Sequence, residues 1–131
     1  MQKTAIQPAN MAAPTAPYSL GIKTGELVFV SGQVAVDAAG NVAGVGDPVA
    51  QTRQVMENLK SVLEAAGATL ADVVKITIFL TDMSFLPQIL AVRKSYFEPP
   101  YPASTAVQVV ALANKDWLVE IEATAVIGAG R

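Results

Sequence analysis

The sequence predicts an α+β domain: one sheet with two helices on one of its faces, in the order β-β-α-β-α-β-β. Three observations predict it. Residues 51–82 read as an amphipathic helix, a glycine stop, a short turn and a strand. A second helical pattern follows and ends at the proline-rich run Glu98-Pro99-Pro100-Tyr101-Pro102. The C-terminal third then carries two extended stretches joined by Ala113-Asn114-Lys115-Asp116. At 131 residues a single domain, 1–131, is expected.

Taken in order, Met1 to Pro17 is rich in Ala, Pro, Thr and Gln and reads as extended or loosely held. Ser19–Lys23 is expected as a short strand, Thr24-Gly25-Glu26 as a turn, and Leu27–Val34 as a strong strand, together a hairpin. Asp37–Gly46 has three glycines and no periodicity, so it reads as a loop. Asp47 is a candidate N-cap, Pro48 the first helical residue and Gly67 the residue just past the helix end. Between them Val55, Leu59, Val62, Leu63 and Ala66 recur at helical spacing, with Gln54, Asn58, Lys60, Ser61 and Glu64 as the polar positions. In Val73–Leu80 the period changes to two: Val74, Ile76, Ile78 and Leu80 share one face, and Val73, Lys75, Thr77 and Phe79 the other.

Ser84 or Asp82 caps a second expected helix ending near Phe97, with Pro87 tolerated in its first turn. Strands are expected at Ser104–Leu112 and Leu118–Ile127, and Gly128–Arg131 is expected to fray. Alternation assigns Leu27, Phe29, Ser31 and Gln33 to one side of their strand, and Leu118, Glu120, Glu122, Thr124 and Val126 to one side of theirs. The sheet face away from the helices is then too polar for a sealed core and too apolar for water. An oligomer interface containing a wet cleft resolves the conflict.

Composition removes many mechanisms. The chain has no Cys and no His, which excludes a Ser-His-Asp triad, a cysteine nucleophile, a disulfide and the usual structural zinc site. Proton transfer is left to Asp, Glu, Lys, Tyr or water. The acids are dispersed without EF-hand spacing, so no metal and no cofactor is assigned. A net charge of -2 with scattered cations gives no nucleic-acid footprint. No apolar run is long enough for a membrane span, and no signal peptide is evident; a cytoplasmic location is expected.

Four separated motifs occur in order: Pro17-Tyr18-Ser19; Val28-Phe29-Val30-Ser31-Gly32-Gln33; the 51–82 block; and Leu118-Val119-Glu120-Ile121-Glu122-Ala123. Together, from about Ala13 to Val126, they resemble the RidA/YjgF family, also called the L-PSP endoribonuclease-like family. The resemblance implies a chorismate-mutase-like fold, a homotrimer, and small-molecule clefts between subunits. It also implies hydrolysis of enamine or imine intermediates to 2-oxo acids and ammonia. Family deaminases grip the substrate carboxylate with an arginine in a Pro-Ala-Arg-Ser motif. Here the matching run is Pro102-Ala103-Ser104-Thr105, so Ser104 stands where the arginine belongs. Arginine offers a charged planar fork and serine one hydroxyl. A charge-assisted hydrogen bond contributes about 1.5–3 kcal/mol against about 1 for a neutral one, so loss of the fork weakens carboxylate binding about a hundredfold.

The candidate site residues follow from the same comparison. The resemblance makes Glu120 the residue that positions water; its bland alternative is the polar face of a strand. Tyr18 and Ser31 match cleft positions, and each also serves as ordinary strand or segment packing. Ser104 and Thr105 are candidate anion binders. Leu90 falls where deaminases often have Asn, making that wall greasier. Arg93 either replaces the missing charge or extends into water as a helix cation. Lys75 is read as a charge partner of Glu120 or Glu122, with a Schiff-base role as the sharper alternative. Trp117 is assigned to a surface or interface. Two functions compete: a hydrolase of altered specificity, and a non-catalytic trimer that binds a metabolite or a protein. Ribonuclease activity, the third, is disfavoured by the acidic balance and the absence of His.

Overall fold

The computed structural model describes residues 1–131. Six strands form one sheet: β1 (Thr4–Ile6), β2 (Gly21–Thr24), β3 (Leu27–Gln33), β4 (Val73–Leu80), β5 (Ala103–Gln108) and β6 (Val119–Val126). Two helices, α1 (Pro48–Ala65) and α2 (Leu86–Lys94), complete the α+β fold. The strand order is β1-β2-β3-β6-β4-β5, antiparallel except for the β4–β5 edge pair. No helix is long and apolar enough to cross a membrane.

Helix α1 starts where the cap chemistry puts it. The Asp47 carboxylate accepts from the N–H groups of Val49 (3.0 Å) and Ala50 (3.1 Å), and Pro48 needs no donor there. It stops at Gly67, whose φ of 85° lets the N–H of Ala68 close back on the Leu63 carbonyl at 2.9 Å. Val55, Met56, Leu59, Val62 and Leu63 face the sheet and meet Val28, Val30, Ile76, Ile78 and Ile121. Each of these buried aliphatic side chains stabilises the fold by about 1.5–3 kcal/mol.

Several expectations are refined or corrected. Of the two readings of the N-terminal segment, the extended one holds at Thr4–Ile6: β1 pairs with β2, and Ile6 joins the core. The tail is also held, since Asp72 accepts from the Gly130 N–H at 2.9 Å. Helix α2 is shorter than expected. Asp82 caps a 3-10 turn (Met83–Phe85), and the helix ends at Lys94, where the Ser95 hydroxyl bonds back to the Val92 carbonyl at 2.6 Å. The expected polar position Asn58 is buried and donates to the carbonyls of Val34 and Val36, each at 3.0 Å.

Two bulges break the expected alternation. Against β6, strand β3 advances from Val30 to Gln33 while its partner moves only from Ala123 to Ile121. Gln33 therefore turns inward and is 3% exposed, not grouped with Leu27, Phe29 and Ser31. On β4, Val73 pairs with Ala125 and Lys75 with Thr124, so Val74 is the extra residue. Val74 is exposed and Val73 buried, the reverse of the simple alternation.

Candidate functional site

The sheet face away from the helices carries the expected mixture of apolar and polar side chains. Phe29 is 45% exposed, and Leu27 and Val107 are also exposed. Glu120, Glu122 and Thr124 of β6 face this side, opposite Phe79, Thr77 and Lys75 of β4.

Glu120 has a defined seat. A Cβ built on Gly32 would lie 2.6 Å from Glu120 Oε2 and 2.8 Å from its carboxyl carbon. The side chain thus lies against the bare backbone beside the β3 bulge. Burial first, and then the charge of Glu122, push its pKa above the ordinary carboxylate value. That is the environment in which a carboxyl group exchanges protons nearer neutrality.

The other expected residues divide among three hollows. Tyr18 lines the first, about 310 Å³, with Asn10, Gly32, Glu57, Asn58 and Trp117. Gly32 thus joins the Tyr18 hollow to the Glu120 seat. Trp117 is half-buried, and its Nε1 is buried without a hydrogen-bond partner. Ser31 lines the second hollow, about 210 Å³, with Phe29, Lys75, Thr77 and Glu122. Its hydroxyl donates to the Ser19 carbonyl at 2.6 Å, fastening the segment that carries Tyr18. The ammonium of Lys75 donates to Thr105 Oγ1 at 2.8 Å, which corrects the expected pairing with a glutamate. Thr105 and Thr77 are register partners, so this contact crosses the open face at the β5 edge.

Leu90 and Arg93 line the third hollow, about 320 Å³, with Lys94, Phe97, Tyr101 and Pro102. Ser104 pairs in register with Ile76 and so projects to the helix side, away from Thr105. There it accepts a hydrogen bond from Nη1 of Arg93. Within one chain, then, Gly32 meets Glu120 and also lines the hollow of Tyr18, while Arg93, Ser104 and Leu90 form a separate group.

Sequence reasoning missed the buried amides that hold these parts in place. Gln51 is fully buried; it donates to the carbonyls of Asp116 (2.7 Å) and Gly44 (3.2 Å) and accepts from the Leu118 N–H (2.8 Å). It fixes the entry to β6 and therefore the register of Glu120. The available signal was a Gln beginning the helix that immediately follows a glycine-rich loop.

The family described as Endoribonuclease L-PSP matches residues 9–127. The RutC family protein PH0854 of Pyrococcus horikoshii is 44% identical over 123 residues, covering 94% of this chain and 97% of its own. The crystal structure of RidA from the Antarctic bacterium Psychrobacter sp. superposes with a TM-score of 0.88 at 39% identity, covering 95% of this chain and 99% of that one. E. coli TdcF with bound serine superposes with a TM-score of 0.86 at 35% identity, covering 94% and 98%.

Proposed function

Because this chain belongs to the endoribonuclease L-PSP (RidA/YjgF) family, we propose that it is a homotrimer with small-molecule clefts between subunits, and that it hydrolyses an enamine or imine of non-standard structure. The seat of Glu120 on Gly32 carries this reading. Water adds to the C=N carbon, and the Glu120 carboxylate orients that water and accepts its proton. That proton passes to nitrogen, giving a carbinolamine; its hydroxyl proton then moves to nitrogen by the same carboxylate as the C–N bond breaks, so ammonia leaves and a carbonyl remains. Tyr18, beside Gly32, closes the cleft, and the Thr105 hydroxyl, already accepting from Lys75, has its own proton to donate. The half-apolar open face supplies the surface for the trimer contact. Bound serine in TdcF supports a small amino-acid-like ligand.

The second reading is a non-catalytic metabolite-binding trimer. The Ser31 hydroxyl committed to the Ser19 carbonyl favours it, since that hydroxyl is not free to donate to a substrate. Ammonia release from a panel of imines generated by an amino-acid oxidase separates the two. We expect turnover that falls at least tenfold in Glu120→Gln, with the trimer intact by light scattering. A stable monomer at micromolar concentration would remove the intersubunit cleft, and absence of turnover across the panel would favour the second reading.

A further inference from the structure

The hollow below α2 contains a cation with no acid to match it. Arg93, in the last turn of α2, points at the edge strand and donates to Ser104, a neutral hydroxyl. The remaining walls are Leu90, Lys94, Phe97, Tyr101 and Pro102: a second cation, apolar surface and one phenol, with no carboxylate among them. Arg93 is half-buried, and burial lowers the pKa of its guanidinium. A partly desolvated charge whose partner is a single hydroxyl lacks a counter-ion. Guanidinium carries five N–H donors in a fixed fork, and Ser104 takes one of them. The fork is thus oriented by Ser104 while most of its donors remain for another acceptor.

We propose that Arg93 is the carboxylate anchor of this protein, and that the hollow it shares with Leu90 and Phe97 takes a small monocarboxylate with an apolar or planar body. The charge comes from the helix; the strand residue Ser104 only positions it. The apolar walls select such an acid over inorganic phosphate, which can turn some oxygens to Arg93, Lys94 and Tyr101 but must set the rest against Leu90 and Phe97. Leu90 has the corresponding role of contacting the body of the ligand. This inference rests on the small-molecule cleft proposed above and names its ligand class. Its test is binding without turnover, so its failure is distinguishable from failure of the hydrolase reading.

The experiment is calorimetric titration of the full-length protein with benzoate, with benzamide as the neutral isostere and inorganic phosphate as the third probe. Benzoate is expected to bind, and benzamide and phosphate to bind at least tenfold more weakly. Arg93→Gln should weaken benzoate about 10- to 100-fold, and Arg93→Lys should recover only part, because an ammonium lacks the fork. Ser104→Ala should cost a few-fold only. The double variant Arg93→Gln with Ser104→Arg should restore binding, since it returns a guanidinium to the same hollow from the strand side. Benzoate binding that ignores Arg93→Gln, equal binding of benzamide, or no benzoate binding at all would each overturn the proposal. Benzoate binding through Arg93 with no turnover would support it while removing the hydrolase.

Discussion

The Glu120 carboxyl occupies the space that a side chain at Gly32 would need: a Cβ there would stand 2.6 Å from Oε2. The obstructing atom is the end of a flexible side chain, so a methyl group at position 32 displaces the carboxylate more readily than it disturbs the backbone.

Gly32→Ala should therefore reduce turnover about as much as Glu120→Gln while moving the melting temperature little. The double variant should be no worse than either single one, since both act on one carboxylate. Additive losses in a double-mutant cycle would separate the two residues.

Stability should depend on pH through Glu120. Burial and Glu122 raise its folded pKa, so the native state holds the proton more tightly than the unfolded chain. The ionised carboxylate costs stability above the folded pKa, and the cost vanishes below the unfolded value of about 4.3. Glu120→Gln should melt higher than the parent at pH 8, with the two curves converging near about pH 4. A melting difference that does not change with pH would refute this.

Asp72 has the opposite sign. Burial works against its charge, but the N–H groups of Gly130, Thr69 and Gly128, together with Arg131, lower its pKa overall. Its contribution is present above the unfolded value of about 3.9 and is lost as pH falls through the lower folded value. Asp72→Ala should cost about 1–3 kcal/mol at pH 7, and less in strong acid. It should also speed hydrogen exchange at the Gly130 and Thr69 amides, whose bonds to Asp72 are 2.9 and 3.0 Å. Unaltered exchange at both would show that the carboxylate does not hold the tail.

Gln51→Leu keeps the volume and removes three hydrogen bonds, stranding the N–H of Leu118 and the carbonyls of Asp116 and Gly44. Each stranded buried group costs about 1–3 kcal/mol, so the variant should be among the least stable single changes in the helix. Chemical denaturation checks this. A loss below about 1 kcal/mol would mean that water or a small shift replaces the bonds.

The elements were legible because their signals are local. Asp47, Pro48 and Gly67 bound α1 by cap chemistry, and the period of Val73–Leu80 marks β4. What escaped depends on partners distant in sequence. Gln33 and Val74 change faces only because β6 runs one residue short against each of their strands. Asn58 reads as a polar helix position until the carbonyls of Val34 and Val36 are seen above it. In the site, Glu120 and Gly32 were visible as separate motifs, but their contact requires the β3–β6 pairing. Lys75 reads as a partner for glutamate, but it is nearest the neighbouring edge strand, where Thr105 meets it.

The bulge at the end of β3 works as a phase shift. Up to Val30 the strand assigns odd-numbered residues to the open face, and at Gln33 an odd-numbered residue goes to the core. A one-residue deletion between them would leave two residues opposite two, with Gln33 still inward and still opposite Ile121. The inside-outside order beyond the bulge would survive, and only the extra residue would be lost. With Gly32 as the residue removed, the bare backbone against which Glu120 lies would go with it. Such a deletion should spare the fold and cost the site, the reverse of what a shortened core strand ordinarily does.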